Sequence, residues 1–124
     1  MKKIYFILFL FFSFKVFAEW TEISSSRESI YYIDLQTIER TSMVDLVSIW
    51  DYEVYPNGLT GSEIKSAINN LLIDCASSKV KYLYSFYFTD LNAKNLFDLY
   101  LLKDENWTDI NKDSHFEKIK NKIC

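Results

Sequence analysis

Cys75 and Cys124 are the only cysteines of this 124-residue chain and His115 is its only histidine, so chemistry that needs a thiolate or an imidazole must use these three positions. A serine or cysteine triad would have to take its base from that single imidazole, and no metal cluster built on several histidines is available. His115 falls where a terminal helix begins, the place of an exposed helix residue. Asp51 and Glu53 stand two apart on one face of a strand, a spacing that suits a general acid and base or a pair of calcium ligands. Nothing else in the sequence converges on them, so solvated carboxylates are the expectation. Gly58 and Gly61 are the only glycines, which leaves no glycine-rich phosphate loop. The expectation is therefore a protein without catalytic residues, cofactor or metal.

Three lysines form the other chemical feature. Lys79 and Lys81 point the same way on one strand and Lys94 lies in the adjoining loop, a candidate contact for a sulfated or acidic ligand; a solvated strand face is the plainer reading. Aromatic residues make up 18% of the chain. That fraction suits a small sheet-on-helix core, or else an exposed binding surface carried by Tyr31, Tyr55, Tyr87 and Tyr100, which fall off the main apolar faces.

The elements that position these residues begin with an export signal. Lys2 and Lys3 form a basic start, Ile4 to Phe14 an apolar run broken only by Ser13, and Val16-Phe17-Ala18 a cleavage site, so cleavage is expected between Ala18 and Glu19. The apolar run is shorter than the roughly 20 residues that cross a bilayer. No cysteine follows the site, so lipid anchoring is not expected and the destination is the periplasm, the cell surface or the medium. Residues 1 to 18 are the signal and 19 to 124 a single domain of 106 residues, enough for one core. The signal takes three of the 14 basic residues and none of the 17 acidic ones, leaving 11 against 17 and a formal charge of −6, which argues against a nucleic-acid partner. In an oxidising compartment two cysteines allow one intramolecular bridge, between Cys75 and Cys124; the competing arrangement is a free Cys75 with a dimer linked through Cys124.

Hydrophobic period two dominates between the cysteines and the signal. From Met43 to Tyr55 the even positions Val44, Leu46, Trp50, Tyr52 and Val54 are apolar, Ser48 excepted, while Asp45, Asp51 and Glu53 mark the opposite, solvent face. Val80 to Phe88 repeats the alternation, with Val80, Tyr82, Tyr84, Phe86 and Phe88 on one face and Lys79, Lys81, Ser85 and Thr89 on the other. Ile30 to Ile33 and Leu96 to Leu102 are shorter strands, and Asp90 to Lys94 turns Phe88 back to Leu96. Ser114 and Glu117 form a capping-box pair, and Phe116, Ile119 and Ile123 recur on one side of a C-terminal helix. Residues 62 to 72 fit a helical stripe and a strand equally well, and periodicity does not choose between them.

The ordered set Trp20-x-x-Ile23, Tyr32-Ile33-Asp34 followed by Ile38, Val47-Ser48-Ile49-Trp50, Ser66 ahead of Asp74-Cys75, Trp107-x-x-Ile110 and Ile123-Cys124 resembles the bacterial surface-adhesin protein E family over essentially the whole mature chain. The resemblance implies an antiparallel sheet with a C-terminal helix, a Cys75–Cys124 bridge, a strand over Ser66 to Cys75, and binding of host matrix and serum proteins. The chain differs in having Asn111-Lys112-Asp113 where members often carry Pro and Gly before the last helix. The resulting expectation is an α+β protein, an antiparallel β-sheet of about five or six strands with a C-terminal α-helix pinned by one disulfide. It would act as an exported, non-catalytic binding protein. The alternative is a periplasmic accessory protein with no host ligand, forming a homodimer through an exposed sheet edge.

Overall fold

A computed structural model of the chain describes residues 19–41 and 45–124. The expected export signal, residues 1 to 18, and the residues Met43 and Val44 that open the expected third strand, lie outside them. Strands β1 (Thr21–Ser25), β2 (Ile30–Arg40), β3 (Leu46–Val54), β4 (Ser66–Asp74), β5 (Lys79–Phe88) and β6 (Leu96–Leu101) pair antiparallel in sequence order, and β7 (Thr108–Asp109) pairs with the start of β5. Helix α1 (His115–Ile123) follows.

The ambiguous segment is a strand. Ser66–Asp74 lies between β3 and β5, and its alternate residues Ala67, Asn69, Leu71 and Ile73 are all buried, a period of two. β2 is longer than its Ile30 to Ile33 seed because Asp34 sustains a register irregularity: its carboxylate accepts from the Gln36 N–H and its carbonyl from the Thr37 hydroxyl.

α1 lies across one face of the sheet. Ile119 and Ile123, four apart and therefore on one side of the helix, join Ile33, Val47, Ile49, Leu71, Ile73 and Val80 in a fully buried cluster. The Ser114 hydroxyl accepts the Glu117 N–H, and the Glu117 carboxylate accepts the Asp113 N–H, one residue ahead of the cap. The far end is fixed twice, by the Cys75–Cys124 disulfide and by the Arg40 guanidinium donating to the Ile123 carbonyl at 2.7 Å. Both cysteines are consumed in the intramolecular bridge.

Two strands reverse the faces expected of them. In β3 the odd positions Val47, Ile49, Asp51 and Glu53 are buried beneath α1, while Leu46, Ser48, Trp50, Tyr52 and Val54 are only half-buried. In β5 the register steps from Leu71 opposite Tyr82 to Asn70 opposite Tyr84, leaving Leu83 unpaired. One extra residue exchanges the two faces, so Val80 and Tyr82 share the helix side with Ser85 and Tyr87, whereas Tyr84 and Phe86 turn away with Lys79 and Lys81.

Candidate functional site

The helix face of the sheet changes character along its length. Under the last turns of α1 it is aliphatic; under the first turn it is polar. Asp51 on β3 pairs across the ladder with Asn69 on β4, which pairs in turn with Ser85 on β5, and all three are essentially without solvent contact. Asn69 donates its amide to the Asp51 Oδ1 at 2.8 Å and to Glu53 Oε2, bridging the two carboxylates. Glu53 also accepts the hydroxyls of Tyr55 at 3.3 Å and Tyr82 at 3.4 Å. Asp51 Oδ2, Asn69 Oδ1 and Ser85 Oγ have no partner. The expectation of solvated carboxylates is thus overturned, because the strand buries the face that carries them.

His115 closes the top of this layer. It is half-buried instead of exposed, stacked on Tyr31 with centroids 3.7 Å apart and planes 4° from parallel, and packed against Phe116 at 4.0 Å. One of its ring nitrogens lies within 4.8 Å of carboxylate oxygens of both Asp51 and Glu53, and its buried Nε2 has no partner. Burial lowers the imidazole pKa to about 4. Burial likewise raises the Glu53 carboxyl to about 7, and raises Asp51 well above the carboxylate range with the Glu53 charge adding to the effect. The same desolvation, reinforced by the Glu53 charge, lifts Tyr55 and Tyr82. Sequence carried a trace of this layer: Asp51 and Glu53 continue the parity of Val47 and Ile49, and Asn69 that of Leu71 and Ile73.

The opposite face of the sheet is aromatic. Trp20 meets Tyr52 at 5.4 Å, Tyr52 meets Tyr32 at 5.6 Å, and Trp50 meets Phe86 at 6.1 Å and Tyr84 at 6.4 Å. Leu99 and Leu101 extend this face onto β6, opposite Phe86 and Tyr84. β6 ends the strand order and is exposed throughout, with Leu101 and Leu102 each 66% exposed. On its other side Phe97 and Tyr100 join Leu59, Ile64, Tyr87 and Lys103 around an open cleft of about 280 Å³.

Two of the three lysines are on β5 and the third follows it. Lys79 lies 3.6 Å from Asp109 and Lys81 stands 4.8 Å over the Trp107 ring, both on the aromatic side, while Lys94 follows the far end of the strand. The four tyrosines separate: Tyr55 is buried and Tyr31 lies under His115, and only Tyr87 and Tyr100 meet at the surface, edge to face at 5.8 Å.

A family model described as surface-adhesin protein E matches residues 20–124. The chain belongs to the surface-adhesin protein E family. It is similar in structure to Haemophilus influenzae protein E, with a TM-score of 0.62 at 14% sequence identity over 88% of this chain and 86% of that one. A second crystal form of H. influenzae protein E gives a TM-score of 0.57, again at 14% identity, over 88% of this chain and 96% of that chain. At that identity the likeness is one of fold. No curated protein matches the chain. Membership implies a surface adhesin, and the antiparallel sheet, single terminal helix and disulfide are those expected from the resemblance.

Proposed function

We propose that this member of the surface-adhesin protein E family is an exported protein that works by binding, not catalysis, and contacts host matrix or serum proteins through the aromatic side of its sheet and the β6 edge. The observation that carries this reading is the run Leu96, Phe97, Leu99, Tyr100, Leu101 and Leu102, every one of them more than 40% exposed. Apolar surface of that kind costs solubility unless a partner covers it, and aromatic residues beside it supply anchoring area. Lys79 and Lys81 border the same face, and Lys94 stands just ahead of β6.

The test is adsorption of the purified mature chain to surfaces coated with solubilised basement-membrane matrix or with whole serum protein. Leu99→Asp with Leu101→Asp is expected to reduce retention by about tenfold or more, the size of effect typical of losing a buried apolar anchor. The triple replacement of Lys79, Lys81 and Lys94 by Ala reports the basic contribution. Unchanged retention in both variants would remove this surface from the reading. Cleavage after Ala18 is part of this reading, so the mass of the mature protein should correspond to a chain beginning at Glu19.

The exposed edge also favours a second reading, a periplasmic accessory protein that forms a homodimer through β6. Protease added to intact cells separates the two. Digestion supports display; protection until the outer membrane is broken supports the periplasmic role.

A further inference from the structure

We propose that Asp51, Glu53 and His115 form a binding site for one divalent transition-metal ion of the zinc type. The proposal concerns the helix side of the sheet and is independent of the adhesive surface. Three donors of the kinds zinc takes, two carboxylate oxygens and one imidazole nitrogen, lie within 4.8 Å of one another. Two of these groups hold buried atoms without a hydrogen-bond partner, the Oδ2 of the fully buried Asp51 and the Nε2 of His115. A pair of buried carboxylates two residues apart needs more compensation than Asn69 and two tyrosine hydroxyls supply, since a desolvated charge is costly unless matched. One dication would give both orphan atoms a partner and neutralise the pair.

Donor chemistry selects the class of ion. Imidazole favours zinc and its neighbours over magnesium and calcium, which prefer all-oxygen cages of six or more ligands. Ligand atoms on a tetrahedral zinc stand about 3.4 Å apart for bonds of about 2.1 Å, so donors within 4.8 Å of one another must draw together by up to about 1.4 Å. His115, at the first position of α1 and only half-buried, is the member able to make that adjustment. The outer shell is already in place: Asn69 bridges the carboxylates, Tyr55 and Tyr82 hold Glu53, and Tyr31 fixes the plane of the imidazole.

The experiment uses the untagged chain with its disulfide intact, stripped by a chelator and titrated with zinc chloride by calorimetry. One zinc per chain is expected. Cobalt(II) added to the same protein should shift or broaden the ring-proton signals of His115, which are unambiguous because no other histidine is present. His115→Phe preserves the stack on Tyr31 and removes the nitrogen, and Asp51→Asn preserves shape and removes the charge. Each is expected to weaken zinc binding at least about 100-fold, and Tyr55→Phe, which releases only a hydroxyl that holds Glu53, by less than that. Absence of saturable zinc binding by the parent chain, undiminished binding by His115→Phe, or a preference for calcium or magnesium would each overturn the site. His115→Phe changes a half-buried surface ring, so it decides the question even where Asp51→Asn does not fold.

Discussion

Glu53 sits where an ionised carboxylate is least favoured, and the stability of the metal-free protein should follow its proton. The ordinary value of 4.5 is raised to about 7 in the fold, mainly by burial. The folded state then binds more protons than the unfolded state between those values, so this contribution to stability is full below about 4.5 and is lost as pH rises through about 7. A shift of that size corresponds to on the order of 3 kcal/mol. His115 acts in the other direction. Its pKa falls from 6.5 to about 4 on burial, so its contribution is full above 6.5 and is lost as pH falls through about 4. The two contributions oppose each other between about pH 4.5 and 6.5, so in urea unfolding with chelator present the Glu53 loss is followed in the His115→Phe background, where it should run from about pH 4.5 to about pH 7. Glu53→Gln should flatten that loss, and an unchanged slope would show that Glu53 does not titrate as its burial requires.

The elements depend on a few residues each. The disulfide closes a loop of 49 residues between the end of β4 and the end of α1, and the chain-entropy account assigns about 4 kcal/mol to a loop of that length. Replacing both cysteines with Ser should therefore move the urea midpoint down by an amount comparable to much of a small domain's net stability. Ile119, fully buried at the centre of the helix face, is the corresponding packing residue; Ile119→Ala is expected to cost about 2–5 kcal/mol in the same measurement. Leu101→Lys should change stability by no more than about 0.5 kcal/mol, because its side chain touches water and not the core. Measured together, these variants separate what holds α1 on the sheet from what β6 offers to a partner.

At the scale of the whole molecule, the described residues share one core, lying between α1 and a meander whose neighbours in space are neighbours in sequence. Unfolding should therefore be a single transition. Tryptophan fluorescence, reporting Trp20 and Trp50 on the aromatic face and Trp107 near β7, should change together with far-UV circular dichroism. Separated midpoints would mean that the β6 and β7 edge melts apart from the rest.

Much of this architecture was legible along the chain. Alternation marked β3 and β5, the Ser114 and Glu117 pair marked the start of α1, and two cysteines in an exported chain left one intramolecular bridge to form. These signals are local: they depend on side chains a few residues apart, whose geometry the backbone period already dictates. What tertiary structure decided was which side of each strand is inside. β3 carries Val47, Ile49, Asp51 and Glu53 on one parity and Leu46, Trp50, Tyr52 and Val54 on the other, and hydrophobicity alone selects the second. The helix selects the first, because Ile119 and Ile123 pack in one buried cluster with Val47 and Ile49, and the unpaired Leu83 then turns the aromatic half of β5 outward. A single residue of bulge reverses every side chain beyond it, and only the pairing of distant strands fixes where that residue lies.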